Sequence, residues 1–143
     1  MAFVVRVFAP RDTGAVVALW QACGLVVPWN DPRRDIARKL DDGVDGFFVG
    51  VEDGAVVASI MAGYDGHRGW INYLAVDPAH QRHGLGRRMM AAAEAWLGAL
   101  GCAKINLQVR AVNGDAIGFY ERIGYVRDNV VSFGKRLVSD HDP

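Results

Sequence analysis

Residues 76–87 read VDPAHQRHGLGR, and this stretch decides the fold. The apolar and β-branched residues up to Val76 are typical of a strand, and Pro78 ends that strand in a turn. Gly84 and Gly86 then lead into residues 85–100, where apolar side chains recur at helical spacing before Gly101. The stretch therefore predicts a strand, a glycine-rich turn and a long helix in direct succession.

Such a turn is suited to holding phosphate. The first N–H groups of a helix have no partner within the helix, and the helix dipole adds partial positive charge there. Glycines let the backbone approach an anion without a Cβ in the way. Four basic residues lie beside the turn: Arg82, His83, Arg87 and Arg88.

Three other interpretations of the turn are possible. A dinucleotide-binding fingerprint needs a third glycine where this chain has Met89. A P-loop needs Gly-Lys followed by Ser or Thr, and the sequence has none. A turn that only begins a helix explains a lone Gly-x-Gly equally well.

The rest of the chain predicts one α+β domain over residues 1–143. Periodicity and turn residues predict strands at 2–9, 46–52, 55–62, 70–76 and 104–109, helices at 12–23, 32–42, 85–100 and 113–123, and one or two final strands within 125–138. The order is β-α-α-β-β-β-α-β-α-β-β. It indicates a mixed, mostly antiparallel, twisted sheet with helices on both faces.

Composition excludes several classes of protein. The 143 residues carry 16 basic and 16 acidic side chains and are 51% hydrophobic. A neutral chain lacks the positive field that nucleic-acid and anionic-membrane binders use, so we expect neither partner. The two cysteines, Cys23 and Cys102, lack metal-ligand spacing, and the N-terminus does not read as a signal peptide. We expect a cytoplasmic protein with free thiols and no metal.

Two motifs together resemble one family. Gln81-x-x-Gly84-x-Gly86 is similar to the acyl-CoA pyrophosphate loop of the GCN5-related N-acetyltransferase (GNAT) superfamily. Residues 113–125, NGDAIGFYERIGY, resemble its second signature at the expected distance. Residues 29–32 (WNDP) and 63–68 (GYDGHR) also resemble a bacterial single-domain branch of it.

The resemblance implies direct transfer of an acetyl group from acetyl-CoA to a primary amine, on a small molecule or a peptide, within a ternary complex. It implies that the fourth strand splays from the fifth and exposes main-chain groups to the pantetheine arm. The implied cofactor-binding residues are Leu74, Ala75, Val76, Gln81, Arg82, His83, Gly84, Leu85, Gly86, Arg87, Asn113 and Tyr120. The alternative is a non-catalytic acyl-CoA-binding sensor or regulatory protein.

Two residues of the second motif have two interpretations each. Asn113 is placed to cap the following helix, and the resemblance adds a contact with pantetheine. By spacing, Tyr120 belongs to an apolar stripe with Ala116, Phe119 and Ile123. The resemblance instead makes the Tyr120 hydroxyl the general acid that protonates the leaving thiolate.

The general base is open. Deprotonating an alkyl amine of pKa about 10.4 at neutral pH costs roughly 4 to 5 kcal/mol, whereas an α-amine of pKa about 8 costs about 1 kcal/mol and needs no dedicated base. The candidate bases are Tyr73, Asp65, His67 and Asp31. Cys102 has no histidine nearby in sequence, so we do not expect a covalent acyl-cysteine.

The acceptor side is also open. Residues 29–32 lie between the first two helices, where the superfamily usually walls its acceptor site, but Pro32 at a capped helix start explains them equally well. The sequence specifies neither the amine nor the acyl-chain preference. Residues 130–138 could supply a homodimer interface.

Overall fold

The helices and strands follow the predicted order up to residue 122. A computed structural model describes residues 2–141. The strands are β1 (Phe3–Val7), β2 (Phe47–Glu52), β3 (Ala55–Tyr64), β4 (Gly69–Val76) and β5 (Ile105–Leu107). The helices are α1 (Thr13–Ala22), α2 (Pro32–Asp42), α3 (Leu85–Ala99) and α4 (Gly114–Arg122). Short 3-10 turns span Pro10–Asp12, Val44–Gly46 and Pro78–His80.

Local sequence signals account for most element ends. Asp31 caps α2, because its Oδ1 accepts hydrogen bonds from the N–H groups of Arg33 and Arg34 at 2.9 and 3.3 Å. Asp53 and Gly54 join β2 to β3 with φ of 51° and 80°, as a tight primed hairpin turn requires. Asp12 is the residue before α1, but its side chain does not cap that helix. Its carboxylate instead accepts from the N–H of Ala9 at 2.9 Å and from the Arg6 guanidinium at 2.7 Å.

The five strands lie in the sheet in chain order. Every neighbouring pair is antiparallel except β4 and β5, which are parallel. A parallel pair needs a long crossover, and α3 provides it. The strand, glycine turn and helix of residues 76–87 are thus the start of this one crossover.

Helices cover both faces of the sheet, as predicted. Alternate residues of β3 enter two separate cores: Met61 packs with α1 and α2, and Ile60 packs with α3 and α4. Residues 57–62 are all buried, because both faces of this central strand are covered. The mixed, mostly antiparallel α+β architecture is confirmed.

The prediction of final strands in residues 125–138 is wrong. The structure assigns no helix or strand between residues 123 and 141. This segment, which we call the tail, contacts the domain through side chains, including a bond from Asn106 Nδ2 to Asp128 at 2.9 Å. The apolar residues between 126 and 138 are exposed, and Phe133 is 93% exposed. The β-branched residues of the tail favour a strand, but its backbone forms no ladder with a strand of the sheet.

Within residues 2–141, no helix combines the length and the apolar character needed to cross a membrane.

Candidate active site

The site begins where β4 and β5 part. Their pairing covers only Gly69–Ile71 against Ile105–Leu107. Beyond this point β4 continues to Val76 while keeping β3 on its other side, with Ala75 opposite Ser59 and Val76 opposite Ala58. The N–H and C=O groups of residues 72–76 that face β5 therefore have no ladder partner and line a cleft. Backbone groups of this kind need a hydrogen-bonding partner from water or a ligand.

A bulge in β4 lies at the head of this cleft. Ser59 opposes Ala75 and Met61 opposes Asn72, so Tyr73 and Leu74 share a single partner position on β3. Tyr73 adopts φ of 52°, a left-handed conformation that is costly for a residue with a bulky side chain. The surrounding structure must hold this backbone in place.

A buried hydroxyl supports the bulge. Ser59 is fully buried, and its Oγ donates to the carbonyl oxygen of Tyr73 at 2.8 Å. The same Oγ accepts from Trp20 Nε1 at 2.9 Å. The Trp20 ring also stacks on the Tyr73 ring, with centroids 3.7 Å apart and an interplanar angle of 10°. Trp20 and Ser59 together fix both the backbone and the side chain of Tyr73.

The other end of the Tyr73 side chain joins a charged network. Its hydroxyl donates to Asp35 Oδ2 at 2.6 Å. Burial and the Asp35 carboxylate raise the pKa of Tyr73 well above its usual range. Asp35 in turn accepts from Arg38 at 3.1 Å, and Arg38 also binds Asp140 of the tail at 2.5 Å. The hydrogen bonds from Arg38 and from the Asp31 N–H lower the pKa of Asp140.

The glycine loop, residues 81–86, lies at the far end of the cleft. Arg82 and Gly84 have φ of 69° and 74°, which turn the chain sharply before α3 begins at Leu85. Gly84 contributes no side-chain cap, so the first N–H groups of α3 face the loop without a side-chain acceptor. This 15-residue helix therefore presents its positive end to the cleft.

Side chains around the loop divide into two groups. Arg82, His83 and Arg87 are exposed beside it. Arg88 turns away, because its guanidinium lies 4.7 Å over the Phe3 ring and donates to the Phe3 carbonyl. The expectation that four basic residues surround the loop thus holds for three. Gln81 also turns back, and its Nε2 donates to the Val76 carbonyl at 3.1 Å.

Gly86 has a second reason to be glycine. A Cβ at this position would lie 3.2 Å from Cζ of Phe119 on α4, which is tighter than ordinary contact. The absence of a side chain lets the start of α3 pack closely on α4. The first turn of α3 and the aromatic residues of α4 are therefore positioned against each other.

Helix α4 brings Asn113 and Tyr120 to the cleft. Asn113 caps the helix, since its Oδ1 accepts from the N–H of Ala116 at 3.1 Å, so the capping interpretation is confirmed. The Tyr120 ring packs edge-on against Phe119 and Tyr125. Burial raises the pKa of Tyr120 to about 12. Its hydroxyl makes no hydrogen bond to any side chain or backbone group of residues 2–141. It is thus a protonated phenol in the wall of the cleft.

A cavity of about 690 Å³ opens between the bulge, the segment after α1 and the end of β5. This volume is typical of sites for small ligands. Its lining includes Tyr73, Leu74, Asn113 and Tyr120. Trp29, Asn30, Asp35 and Arg110 also line it. We call this space the acceptor cavity, because its lining includes Trp29 and Asn30 of the segment expected to wall an acceptor site.

The four candidate bases lie in different places. Tyr73 lines the acceptor cavity. Asp31 follows the lining residue Asn30 in the chain, and its carboxylate is used in capping α2. Asp65 and His67 lie in the turn before β4, at the opposite end of that strand from the glycine loop. Asp65 accepts from the N–H groups of His67 and Arg68 at 2.8 and 2.7 Å, which lowers its pKa, so its role in the structure is to hold the turn.

Sequence reasoning missed Ser59, Asp35 and Arg110. In the sequence Ser59 is one polar residue in a buried strand, and its role becomes evident only from the hydrogen bond that it accepts from Trp20. Asp35 reads as a solvated helix residue and meets Tyr73 through tertiary contact alone. The described residues contain no group of three or more His, Cys, Asp or Glu side chains arranged to hold a metal ion.

A single cleft of this α+β domain thus contains three features in succession: a loop suited to an anion, an unpaired strand edge and a cavity of the size that small molecules occupy. This is the arrangement of a transferase that holds an extended anionic co-substrate beside a second substrate. A family model described as "Acetyltransferase (GNAT) family" matches residues 15–125. The chain belongs to this family and is an N-acetyltransferase.

Individual relatives agree with this assignment. The chain is 43% identical over 138 residues to an acetyltransferase of Pectobacterium atrosepticum, covering 96% of this chain and 98% of the relative. Ard1 from Thermoplasma volcanium has a similar structure, with a TM-score of 0.79, 27% identity and coverage of 88% and 84% of the two chains. The NatC complex bound to Gag peptide and CoA shares the fold, with a TM-score of 0.76, 19% identity and coverage of 90% and 87%. The predicted family is confirmed.

Proposed function

We propose that this N-acetyltransferase takes its acetyl group from acetyl-CoA and passes it directly to a primary amine. The observation that carries the proposal is the parting of β4 from β5 between the glycine loop and the acceptor cavity. A long donor ligand held in this cleft has its anionic end at the loop and its reactive end at the bulge. The NatC structure, which shares the fold, contains both CoA and a peptide.

The residues present fit the donor. The backbone N–H groups of residues 82–87 are oriented for a pyrophosphate, with Arg82 and Arg87 adding positive charge. The main-chain groups of residues 72–76 that face away from β3 suit the amides of a pantetheine arm. Asn113 retains its amide nitrogen for the ligand, because only its oxygen caps α4. Gln81 acts indirectly by holding the loop to the end of β4.

The transfer itself needs two groups from the chain. The amine nitrogen attacks the thioester carbonyl carbon, forming the C–N bond and placing negative charge on the carbonyl oxygen. A main-chain N–H at the Tyr73–Leu74 bulge is suited to stabilise that charge, since the bulge leaves it unpaired and fixed in direction. The C–S bond then breaks, and the thiolate takes the proton of the Tyr120 hydroxyl. The nitrogen loses its extra proton to water, and a proton returns to Tyr120 from solvent.

Tyr73 is poorly suited to be the base. Its hydroxyl already donates to Asp35, and its raised pKa keeps the proton in place at neutral pH. We assign it to positioning the bulge and Asp35. An acceptor with an α-amine of pKa about 8 needs no dedicated base, since about a tenth of it is neutral at pH 7.

The test combines binding with turnover. Calorimetry with acetyl-CoA should show one site, and a thiol-release assay over polyamines, amino acids, aminoglycosides and peptides should show release with at least one amine. Tyr120→Phe should lower kcat by about 10²- to 10⁴-fold and change the KM for acetyl-CoA little. Tyr64→Phe is the matched control, because the Tyr64 hydroxyl bonds only to the Gly66 carbonyl in the β3–β4 turn.

Each outcome separates the alternatives. Absence of acetyl-CoA binding refutes the proposal and also the sensor alternative. Binding without release for any amine favours a non-catalytic acyl-CoA sensor. An unchanged kcat in Tyr120→Phe removes the assigned role of that hydroxyl.

A further inference from the structure

Arg110 is a charged residue of the acceptor cavity that the proposed chemistry does not use. The last pair between β4 and β5 is Ile71 with Leu107. Leu74 and Arg110 each follow that pair by three positions, so they lie on opposite sides of the opening of the cleft. Its side chain is exposed and lines the acceptor cavity. The guanidinium carbon lies 5.5 Å from the centroid of the Trp29 ring.

The other charges in this cavity are already satisfied. Asp35 accepts from Arg38 and from the Tyr73 hydroxyl. Arg38 also binds Asp140, which is buried. The ammonium of Lys39 donates to the Ala62 carbonyl at 2.7 Å and lies 3.4 Å from Asp42.

Arg110 differs from all of these. Across residues 2–141, no carboxylate lies within ion-pair distance of its guanidinium, and its side chain donates no hydrogen bond. Contact with the face of Trp29 orients a guanidinium while leaving its N–H edge free. That edge matches a carboxylate with two parallel hydrogen bonds. The cavity thus contains one oriented positive charge whose partner is not supplied by the described chain.

We propose that Arg110, held by Trp29, is a specificity-determining residue that binds a carboxylate on the acceptor, so that the acceptor is an aminocarboxylate. This inference rests on the proposed function and names the class of its amine. A polycationic acceptor is disfavoured, because Asp35, the only carboxylate among the described residues that line the cavity, is neutralised and Arg110 repels a second cation. The carboxylate can belong to a free amino acid or to the acidic first residue of a peptide.

The test uses pairs of acceptors that differ only in this charge. One pair is a free amino acid and its C-terminal amide, and the other is a peptide beginning with Glu and the same peptide beginning with Gln. The wild-type enzyme should favour the acid over the uncharged partner by about tenfold or more in kcat/KM in one pair, which also identifies the source of the carboxylate. Arg110→Gln should reduce this ratio to near one while leaving the KM for acetyl-CoA unchanged.

Two further variants sharpen the result. Arg110→Lys keeps the charge but loses the planar fork, so it should retain only part of the preference. Arg33→Gln is the matched control, since Arg33 is an exposed residue of α2 outside the acceptor cavity, and it should retain the full preference.

The inference is overturned if acid and uncharged partners are used equally by the wild type, or if Arg110→Gln keeps the preference. A rise in the KM for acetyl-CoA alone would also overturn it, by placing Arg110 on the donor. If no amine is turned over, calorimetric binding of the same pairs to the acetyl-CoA-loaded protein decides the point. Equal binding of acid and amide refutes the role of Arg110, whereas the missing turnover refutes the proposed function separately.

Discussion

Ser59→Ala tests whether the buried hydroxyl holds the β4 bulge. The substitution removes one oxygen and leaves two groups without a partner: the Trp20 indole N–H and the Tyr73 carbonyl. An unsatisfied buried polar group costs about 1–3 kcal/mol. Trp20 is fully buried and should incur that penalty, while the Tyr73 carbonyl is partly buried and can gain some hydration. We expect a total loss of about 2–4 kcal/mol in the free energy of unfolding.

The assay is urea unfolding followed by circular dichroism, with thermal melts alongside. For a domain of this size, about 3 °C in Tm per kcal/mol predicts a fall of roughly 6–12 °C. Ser132→Ala is the matched control, because the Ser132 hydroxyl lies on the exposed tail and bonds to Gln108 there. It should change the free energy of unfolding by less than about 0.5 kcal/mol.

A double-mutant cycle with Trp20→Phe isolates the hydrogen bond. Phenylalanine removes the N–H donor, so Ser59→Ala in that background no longer leaves a buried donor unpaired. The two substitutions should then be less than additive, with a coupling of about 1–2 kcal/mol. Additivity within about 0.3 kcal/mol would refute the reasoning, because it would mean that the indole N–H and the hydroxyl do not depend on each other.

The same variant has a functional readout. If Ser59 fixes the bulge that carries the proposed oxyanion-stabilising N–H, Ser59→Ala should lower kcat and leave the KM for acetyl-CoA nearly unchanged. A stability loss with an unaltered kcat would confine Ser59 to a structural role.

Three other predictions concern the loop, the phenol and the tail. Burial raises the pKa of Tyr120 to about 12, so its hydroxyl keeps its proton as the pH rises from 7 to 10. A plot of kcat against pH should therefore show no fall with an apparent pKa in that interval. A fall that Tyr120→Phe abolishes would contradict this. Gly86→Ala should lower the free energy of unfolding by about 0–2 kcal/mol, because overpacking against Phe119 costs about 1–3 kcal/mol and the better helix propensity of alanine returns about 1 kcal/mol. Adding Phe119→Leu to this variant should restore stability, and urea unfolding measures both effects. The pKa of Asp140 is lowered, so the stabilisation that this carboxylate provides is present above its ordinary pKa of about 3.9 and is lost as the pH falls through the lower pKa of the folded state. At pH 7 the carboxylate accepts a hydrogen bond from the Asp31 N–H, and hydrogen exchange of that amide should be slow. Exchange should be at least tenfold faster in Asp140→Asn, and equal rates would contradict this.

Elements that depend on neighbouring residues could be predicted from the sequence. The turn at Asp53–Gly54 needs only the tolerance of its two residues for positive φ, and α2 needs only the Asp31 cap and the glycine after it. The glycine loop likewise follows from a strand, a turn and a helix in succession. Each of these signals lies within a few residues, where propensity and capping act.

Features that depend on distant residues could not be predicted. The tail has the composition of a strand and contacts the edge strand β5 through Asn106 and Asp128, yet it forms no backbone ladder with that edge. Composition alone does not distinguish these two arrangements. The bond between Tyr73 and Asp35 joins β4 to α2 across 38 positions, and neither residue carries a local sign of the other. Candidate bases chosen by residue type included Asp65 and His67, which the topology places at the end of β4 opposite to the glycine loop.

The contact between Gly86 and Phe119 affects how the loop motif should be interpreted in other sequences. The two glycines of Gln81-x-x-Gly84-x-Gly86 are needed for different reasons. Gly84 adopts a left-handed backbone conformation and has open space around it, whereas Gly86 allows α3 to pack closely on α4. A library selected only for folding should keep glycine at position 86 even where donor binding has been lost. Retention of that second glycine in a divergent relative then indicates that the close packing of α3 on α4 is kept, and it does not by itself indicate catalytic activity.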